Sequence, residues 1–253
     1  MKRNELESYL AEYLSTGDFK DYCPNGLQIE GHEEIKKLAF AVTATQASID
    51  FAASNKCSGL VVHHGLLWNF EGGKPLRGHF GNRMKSVIGA NLNLLAYHLP
   101  LDSHLEIGNA ASLASRIGLT DLSGFGDYKG MPTGVQGRFS KPIKSCELKT
   151  KLLGTLNNEV RLASRDHNLE IETMAIITGG ANHEWRQALE LGLDAYLTGE
   201  MQIQDWHEVM ETDFQMFSGG HHATERFGIQ ALMAHIESKF KTQCLFFDEC
   251  NPL

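Results

Sequence analysis

The chain has 253 residues, of which 42% are hydrophobic, so it can bury a core as one large domain or as two smaller ones. Its 31 acidic and 23 basic side chains give a formal net charge of -8, and no long run of Lys or Arg occurs. This balance disfavours electrostatic capture of nucleic acid or of an anionic membrane. Because no apolar stretch has the length of a membrane span and no cysteines form a CxxC pair, we expect a cytoplasmic protein.

The first half of the chain predicts strands that alternate with helices. Residues 4–14 place their apolar side chains on one helical face, and a turn follows at residues 24–26. Short apolar runs, typical of strands, then alternate with helical patterns: strands over 38–42, 59–62 and 92–97, and helices over 46–53 and 82–90. Such βαβ alternation predicts a sheet with parallel strands.

The stretch 121–134 is rich in Gly, Ser and Asp and lacks periodicity, so it is the best candidate for a boundary or crossover between two halves. After it, strands are predicted over 160–163, 174–178, 195–198, 215–217 and 245–247, and helices over 146–156, 183–191, 202–211 and 223–240. We therefore predict an α/β fold with an N-terminal lobe over 1–125 and a closely packed C-terminal lobe over 126–253, each built on a mixed sheet flanked by helices.

Half of the twelve histidines lie in three short segments, and each segment follows an apolar, strand-like run: His63, His64, His98, His104, His221 and His222. Adjacent residues of a continuing strand point to opposite faces, so His63 and His64 can serve one site only if the strand ends there and Gly65 lets the chain turn. The carboxyl ends of strands are where open α/β sheets bind ligands.

Each segment alone has an ordinary explanation. Adjacent histidines often cap a loop, and a His and a Glu four residues apart often form a surface pair on a helix. Three such segments together, however, favour a metal site between the two lobes, at the carboxyl ends of strands. The predicted metal ligands are His63, His64, Asp102, His221 and Glu225.

Three imidazoles and two carboxylates exceed what one structural zinc requires and suit two divalent ions, with Glu225 as the bridging candidate. The absence of thiolates leaves zinc, iron, manganese and nickel open. His98 and Glu200 follow strands as well, and we predict that they act as a proton shuttle or as partners of the ligands. His104 and His222 are weaker candidates that exposure or packing would explain.

Two glycine-rich segments have simpler interpretations. Residues 72–75 (GGKP) lack the spacing and the Ser or Thr of a phosphate-binding loop. Residues 178–182 (TGGAN) lie between a predicted strand and a helix, where backbone amides can hold an anion, but we interpret them first as a turn.

Several motifs resemble those of the Nif-three-like family, whose members are commonly labelled GTP cyclohydrolase 1 type 2 homologs: residues 24–31 (PNGLQIEG), 63–65 (HHG), 97–102 (YHLPLD), 194–200 (DAYLTGE) and 220–228 (GHHATERFG). They occur in the family's order from about residue 4 to residue 248, and the length matches the short form without the central inserted domain. One departure is Leu105, where relatives often carry proline; it removes no ligand.

The resemblance implies two α/β lobes, a dinuclear metal centre on the five predicted ligands, and a ring-shaped hexamer. It also implies hydrolytic opening of the imidazole ring of GTP or a related nucleotide by metal-activated hydroxide, with His98 as a proton donor. Two alternatives stay open at this point. In the first, the hexameric ring of chains is a metal-binding scaffold or an ion buffer without turnover. In the second, the protein is a metal-dependent phosphoesterase.

Overall fold

The computed structural model describes all 253 residues, and its strands lie in two mixed sheets that helices flank. The helices are α1 (Arg3–Tyr13), α2 (Gln46–Ser54), α3 (Gly78–Gly89), α4 (Leu99–Asp102), α5 (Asn109–Ile117), α6 (Ser145–Leu156), α7 (Trp185–Glu190), α8 (Ile203–Val209), α9 (His221–Thr224) and α10 (Arg226–Phe240). The strands are β1 (Gly26–Ile29), β2 (Lys37–Thr43), β3 (Gly59–His64), β4 (Asn93–Ala96), β5 (Leu119–Phe125), β6 (Gly134–Lys144), β7 (Arg161–Ala163), β8 (Glu170–Ile176), β9 (Ala195–Thr198), β10 (Gln215–Ser218) and β11 (Gln243–Phe246). The predicted fold class is confirmed.

The first compact unit comprises Met1–Leu101 and Ile229–Cys250. Its sheet has the order β1-β4-β3-β2-β11, in which β4, β3, β2 and β11 run parallel and β1 runs antiparallel to β4. The parallel strands read as continuous apolar runs because both of their faces are covered. Leu60 and Leu94 on the strands pack in one cluster with Ile49 of α2 and Val87 of α3.

The second compact unit comprises Asp102–Gly228 and Asn251–Leu253. Its sheet has the order β5-β6-β8-β9-β10-β7, and β8, β9 and β10 are its parallel strands. Side chains alternate across β9, so Leu197 packs with Leu148 of α6 while Tyr196 packs with Trp185 of α7 on the other face.

This division differs from the predicted boundary at residue 125. The first unit already ends at Leu101, and the chain returns to it through most of α10 and through β11. The return has a clear physical basis, because β11 pairs in parallel with β2, with Cys244 opposite Leu38. On the helix, the His235 ring forms a 2.5 Å hydrogen bond with the hydroxyl of Tyr9 in α1.

The stretch 121–134, predicted as a boundary or crossover between two halves, instead contributes to a hairpin: β5 pairs antiparallel with β6. The strand was missed because it lies at the sheet edge, where Leu119 and Phe125 are buried at its two ends and the side chains between them are mostly exposed. A register shift between Thr120 and Ser123, with Asp121 at φ 55°, further interrupts the alternation expected of a strand.

None of the ten α-helices combines the length and the apolar character that a bilayer crossing requires. The carboxyl ends of neighbouring parallel strands meet at one edge within each sheet. Polar segments follow β3 and β4 in the first unit and β8, β9 and β10 in the second.

Candidate metal centre

His63 and His64 close β3 in the first unit, and their ring centroids lie 4.6 Å apart although the two residues are consecutive. The neighbouring strand β4 delivers His98, whose ring centroid lies 5.0 Å from that of His63 and 5.8 Å from that of His64. Ligand atoms of all three imidazoles lie within 4.8 Å of one another. We call these three residues the imidazole cluster.

The chain turns after His64 because the Gln28 side chain occupies the space beside Gly65. A Cβ atom on Gly65 would lie 2.3 Å from Oε1 of Gln28. That oxygen accepts hydrogen bonds from the amides of Leu66 at 2.9 Å and Leu67 at 3.1 Å, while Nε2 donates to the carbonyl of Pro24 at 3.0 Å. Gln28 therefore shapes the loop that ends β3.

Every ring of the imidazole cluster has its Nδ1 atom in a hydrogen bond. His63 Nδ1 lies 3.0 Å from the Tyr97 carbonyl, and His64 Nδ1 lies 3.1 Å from Thr43 Oγ1. Because a carbonyl only accepts, the proton of neutral His63 is on Nδ1 and its Nε2 carries the lone pair. Metal-ligating histidines show this arrangement, in which one ring nitrogen is anchored and the other faces the ion.

His98 is anchored by Asp21, a residue that the sequence analysis missed. Nδ1 of His98 lies 3.0 Å from Oδ1 of Asp21, and the buried carboxylate also accepts from the amides of Leu99 and Cys23, both at 2.9 Å, and from the side chain of Asn25 at 2.9 Å. Burial alone would raise the pKa of Asp21, but the hydrogen bonds and charge interaction with His98 and its other donors lower it to about 2. Asp21 is therefore ionised and holds the ring with Nε2 outward.

Asn25 completes this arrangement, since its Oδ1 accepts the backbone amide of His98 at 2.8 Å. Asp21 lies three residues before Pro24, the first residue of the 24–31 motif, yet its partner lies 77 residues further along the chain, so neither spacing nor periodicity indicated the contact. The neighbouring Cys23 adds no thiolate to the donor set, because burial and the nearby Asp21 charge raise its pKa to about 12.

Asp102 opens the second unit, and it is buried at the end of α4. Its Oδ1 accepts from Asn109 Nδ2 at 2.9 Å and from Thr178 Oγ1 at 3.3 Å, which fixes the plane of the carboxylate. Asn109 is fully buried, and its Oδ1 accepts the Gly228 amide at 2.8 Å. One amide side chain thus links Asp102 to the segment that follows Glu225.

His221 lies between two carboxylates of the second unit. Its Nδ1 is 2.6 Å from Glu200 Oε1, and its Nε2 is 3.3 Å from Glu225 Oε1. Burial would lower the pKa of His221, but the hydrogen bonds and charges of Glu225 and Glu200 together raise it to about 9. The helix predicted over 223–240 is broken at Glu225, the C-cap of α9, and the side-chain contact between His221 and Glu225 persists across this break.

The segment 178–182, interpreted as a turn, lies against these ligands. Gly179 has φ 69°, and a Cβ atom there would lie 2.3 Å from Glu225 Oε1 and 3.1 Å from His221 Nε2. A side chain at this position would therefore displace both groups, and only glycine combines this backbone conformation with such close approach.

The structure therefore brings His63, His64 and His98 together in the first unit, and His221, Glu200 and Glu225 together in the second. His104 is half-buried, and its Nδ1 accepts the amides of Glu106 and Ile107 at 3.3 Å, so it stabilises its own turn. The donors match the predicted chemistry, since imidazole nitrogens and carboxylate oxygens with anchored far sides suit divalent transition metals.

The model of the family Duf34/NIF3 (NGG1p interacting factor 3) matches residues 1–252. The chain belongs to the NIF3 family. Relatives from Vibrio cholerae and Yersinia pestis, both named GTP cyclohydrolase 1 type 2 homolog, are 39% and 36% identical over 100% of both chains. A solved structure described as "Structural genomics, protein ybgI, unknown function" is 35% identical, with a TM-score of 0.92 over 100% of both chains. The resemblance of the motifs to this family is confirmed.

Replacing Asn109 with Ala in this NIF3 protein is expected to weaken metal binding by about 10- to 100-fold, because Asp102 loses a buried donor that orients it. A competition titration with a chromophoric chelator measures the effect. The matched control is Asn168→Ala, since Asn168 donates to Asp166 at 3.2 Å in an exposed turn. Equal affinity of both variants would contradict the role of Asn109.

The pKa of His221 in the chelator-treated protein is expected to be about 9, and Glu200→Gln is expected to lower it. Since the pKa of His221 is raised from 6.5, its interaction with Glu225 and Glu200 stabilises the fold fully below pH 6.5. This contribution is lost as the pH rises through about 9. NMR titration of the imidazole measures this, with exposed Glu211→Gln as control. A Glu200→Gln protein with an unchanged His221 pKa would contradict the assignment.

Proposed function

We propose that this NIF3 protein is a dinuclear metal-dependent hydrolase that opens the imidazole ring of GTP or a related purine nucleotide. The observation that carries the proposal is the common anchoring of the histidines: His63, His64, His98 and His221 each have Nδ1 in a hydrogen bond, and Nε2 of His221 contacts the proposed ligand Glu225. If these histidines served only to cap loops, nothing would require all four rings to be anchored through Nδ1.

The proposed ligands are His63, His64, Asp102, His221 and Glu225, with Glu225 as the bridging carboxylate. Bound divalent ions would supply Lewis acidity that activates water and offsets developing negative charge. The side chains are prepared for this role, because a histidine oriented by a hydrogen bond and a carboxylate fixed in plane lose little freedom on binding an ion. The curated name of the relatives supports the choice of GTP as the first substrate to test.

His98 is the proposed proton carrier. The ionised Asp21 fixes its Nδ1 and keeps Nε2 directed outward, where it can exchange a proton with the substrate. In the second unit, Glu200 is about half exposed and bonded to His221, which suits exchange of protons with solvent. These assignments keep the proposed carriers distinct from the five proposed ligands.

The reaction consumes one water at each step. Water adds to C8 of the purine, the C8–N9 bond breaks with protonation of N9, and a formamido group remains on the pyrimidine ring. A second water then cleaves the formamide and releases formate. A proton carrier is needed in both steps, because the leaving nitrogen must gain a proton.

We expect wild type to bind about two ions per chain and to release formate from GTP, and Glu225→Ala to lose ions and turnover together. Elemental mass spectrometry and a coupled formate assay measure these, with the protein loaded in turn with zinc, iron, manganese and nickel. Glu211→Ala, an exposed carboxylate on the surface, is the matched control. Release of phosphate without formate would favour a phosphoesterase, and ions without any turnover would favour a scaffold.

Asp21→Asn is expected to lower kcat by about 100-fold while the metal content stays near that of wild type, because it changes the acceptor of His98 without removing a proposed ligand. Asp18→Asn, in the exposed segment just before Asp21, serves as control. Loss of metal in parallel with activity would instead make His98 a ligand.

A further inference from the structure

A surface pocket lies in the first unit, on the segment that joins β3 to α3. Its volume is about 330 Å³, and its walls are mainly apolar, with Leu66, Leu67, Trp68, Phe80 and Met84 among them. Pockets of this size with apolar walls and few polar groups are typical of sites for small organic molecules. The polar groups here are few and belong mainly to residues 69–74.

The pocket adjoins the imidazole cluster through Trp68. The indole ring lies 5.4 Å from the ring of His98, at 82° to it, and 6.1 Å from the ring of His64. The side chain of Trp68 thus forms a wall of the pocket and also lies beside two histidines of the candidate metal centre. A molecule held in the pocket would have one end next to that centre.

Trp68 belongs to an exposed aromatic group with Tyr22 and Phe70. Their ring centroids are 5.8 to 6.0 Å apart, and Phe70 is 71% exposed. Aromatic faces left in water next to a pocket are well suited to stack on a planar ring, and every nucleobase offers such a face. Packing between loops alone would not require Phe70 to project so far into solvent.

The rim of the pocket carries a charged acceptor, the carboxylate of Glu71, and a charged donor, the ammonium group of Lys74. Lys74 Nζ donates to Glu71 Oε1 at 2.6 Å, so the pair is neutral as a whole. The Watson–Crick edge of guanine presents an acceptor, O6, beside the donors N1–H and N2–H. A lysine next to a carboxylate matches this order, whereas an apolar rim would leave these groups without partners.

We propose that this pocket binds the guanine base of the substrate, stacked on Trp68 and Phe70, with its pyrimidine edge at Glu71 and Lys74. The imidazole side of the base then faces the histidines. This inference rests on the proposed function, because the proposed hydrolysis gives the bound base its role. Binding of the base itself requires only the pocket. It also explains how residues 72–75, which cannot form a phosphate-binding loop, take part in substrate selection.

The test is calorimetric titration of the metal-loaded protein with guanosine, inosine and adenosine, none of which carries a phosphate that an ion would attract. Wild type is expected to bind guanosine most tightly. Trp68→Leu should weaken guanosine binding by about 5- to 100-fold, and Phe70→Ala should weaken it in the same direction. Glu71→Gln should reduce the preference for guanosine over inosine, which lacks the 2-amino group.

Trp206→Leu is the matched control, because Trp206 is a partly exposed tryptophan on α8 in the other unit. Phe70→Ala guards against a folding defect, since so exposed a ring contributes little to the core. Guanosine binding that depends on Trp68 or Phe70, without any formate release from GTP, would support the pocket and refute the hydrolase. Formate release with KM unchanged in Trp68→Leu and Phe70→Ala, or no guanosine binding by wild type, would overturn the pocket.

Discussion

The candidate centre depends on the hydrogen bonds that hold the far side of each imidazole. A histidine presents a lone pair in a fixed direction only when its other nitrogen is held by a hydrogen bond. The partners of Nδ1 here are of three kinds: the backbone carbonyl of Tyr97, the hydroxyl of Thr43, and the carboxylates of Asp21 and Glu200. No substitution can remove the carbonyl that orients His63. His98 and His221 are held by carboxylate side chains, so substitution of Asp21 or Glu200 can change how these two rings are oriented.

The glycines show how tightly the polar segments are packed around these side chains. Gly65 makes room for the Gln28 amide, Gly179 for the Glu225 carboxylate, and Gly228 for Asn109, whose Oδ1 would lie 2.5 Å from a Cβ atom at that glycine. The displaced groups would be the Gln28 amide that shapes the loop after β3, the carboxylate of Glu225, and the Asn109 amide that orients Asp102. These glycines therefore allow a neighbouring side chain to come close to the backbone, in addition to any turn that the chain makes there.

Sequence reasoning found the strand ends because buried parallel strands have an unmistakable apolar pattern, and His63, His64, His98 and His221 each follow such a run. It could not find Asp21 or Asn109. Both act through long-range or buried polar contacts, and such contacts leave no periodic signal. Edge strand β5 was missed for the related reason that few of its side chains are buried, and β11 was assigned to the wrong sheet because strand pairing is set by tertiary structure. The ring-shaped hexamer stays a prediction.

Charge balance explains how the second unit can hold the proposed ligands His221 and Glu225 in place when no ion is bound. Glu200 and Glu225 would repel each other across His221 if the ring were neutral, and the raised pKa of His221 means that a proton offsets this repulsion near pH 7. An ion that takes Nε2 must displace this proton, so metal binding and proton release are coupled, and affinity should fall as the pH drops. The first unit needs no such proton, because His63 meets a neutral carbonyl and Asp21 is compensated by its donors. The two groups of proposed ligands thus differ in how they respond to pH, and protonation of His221 is the step at which acidification would first oppose the proposed metal binding.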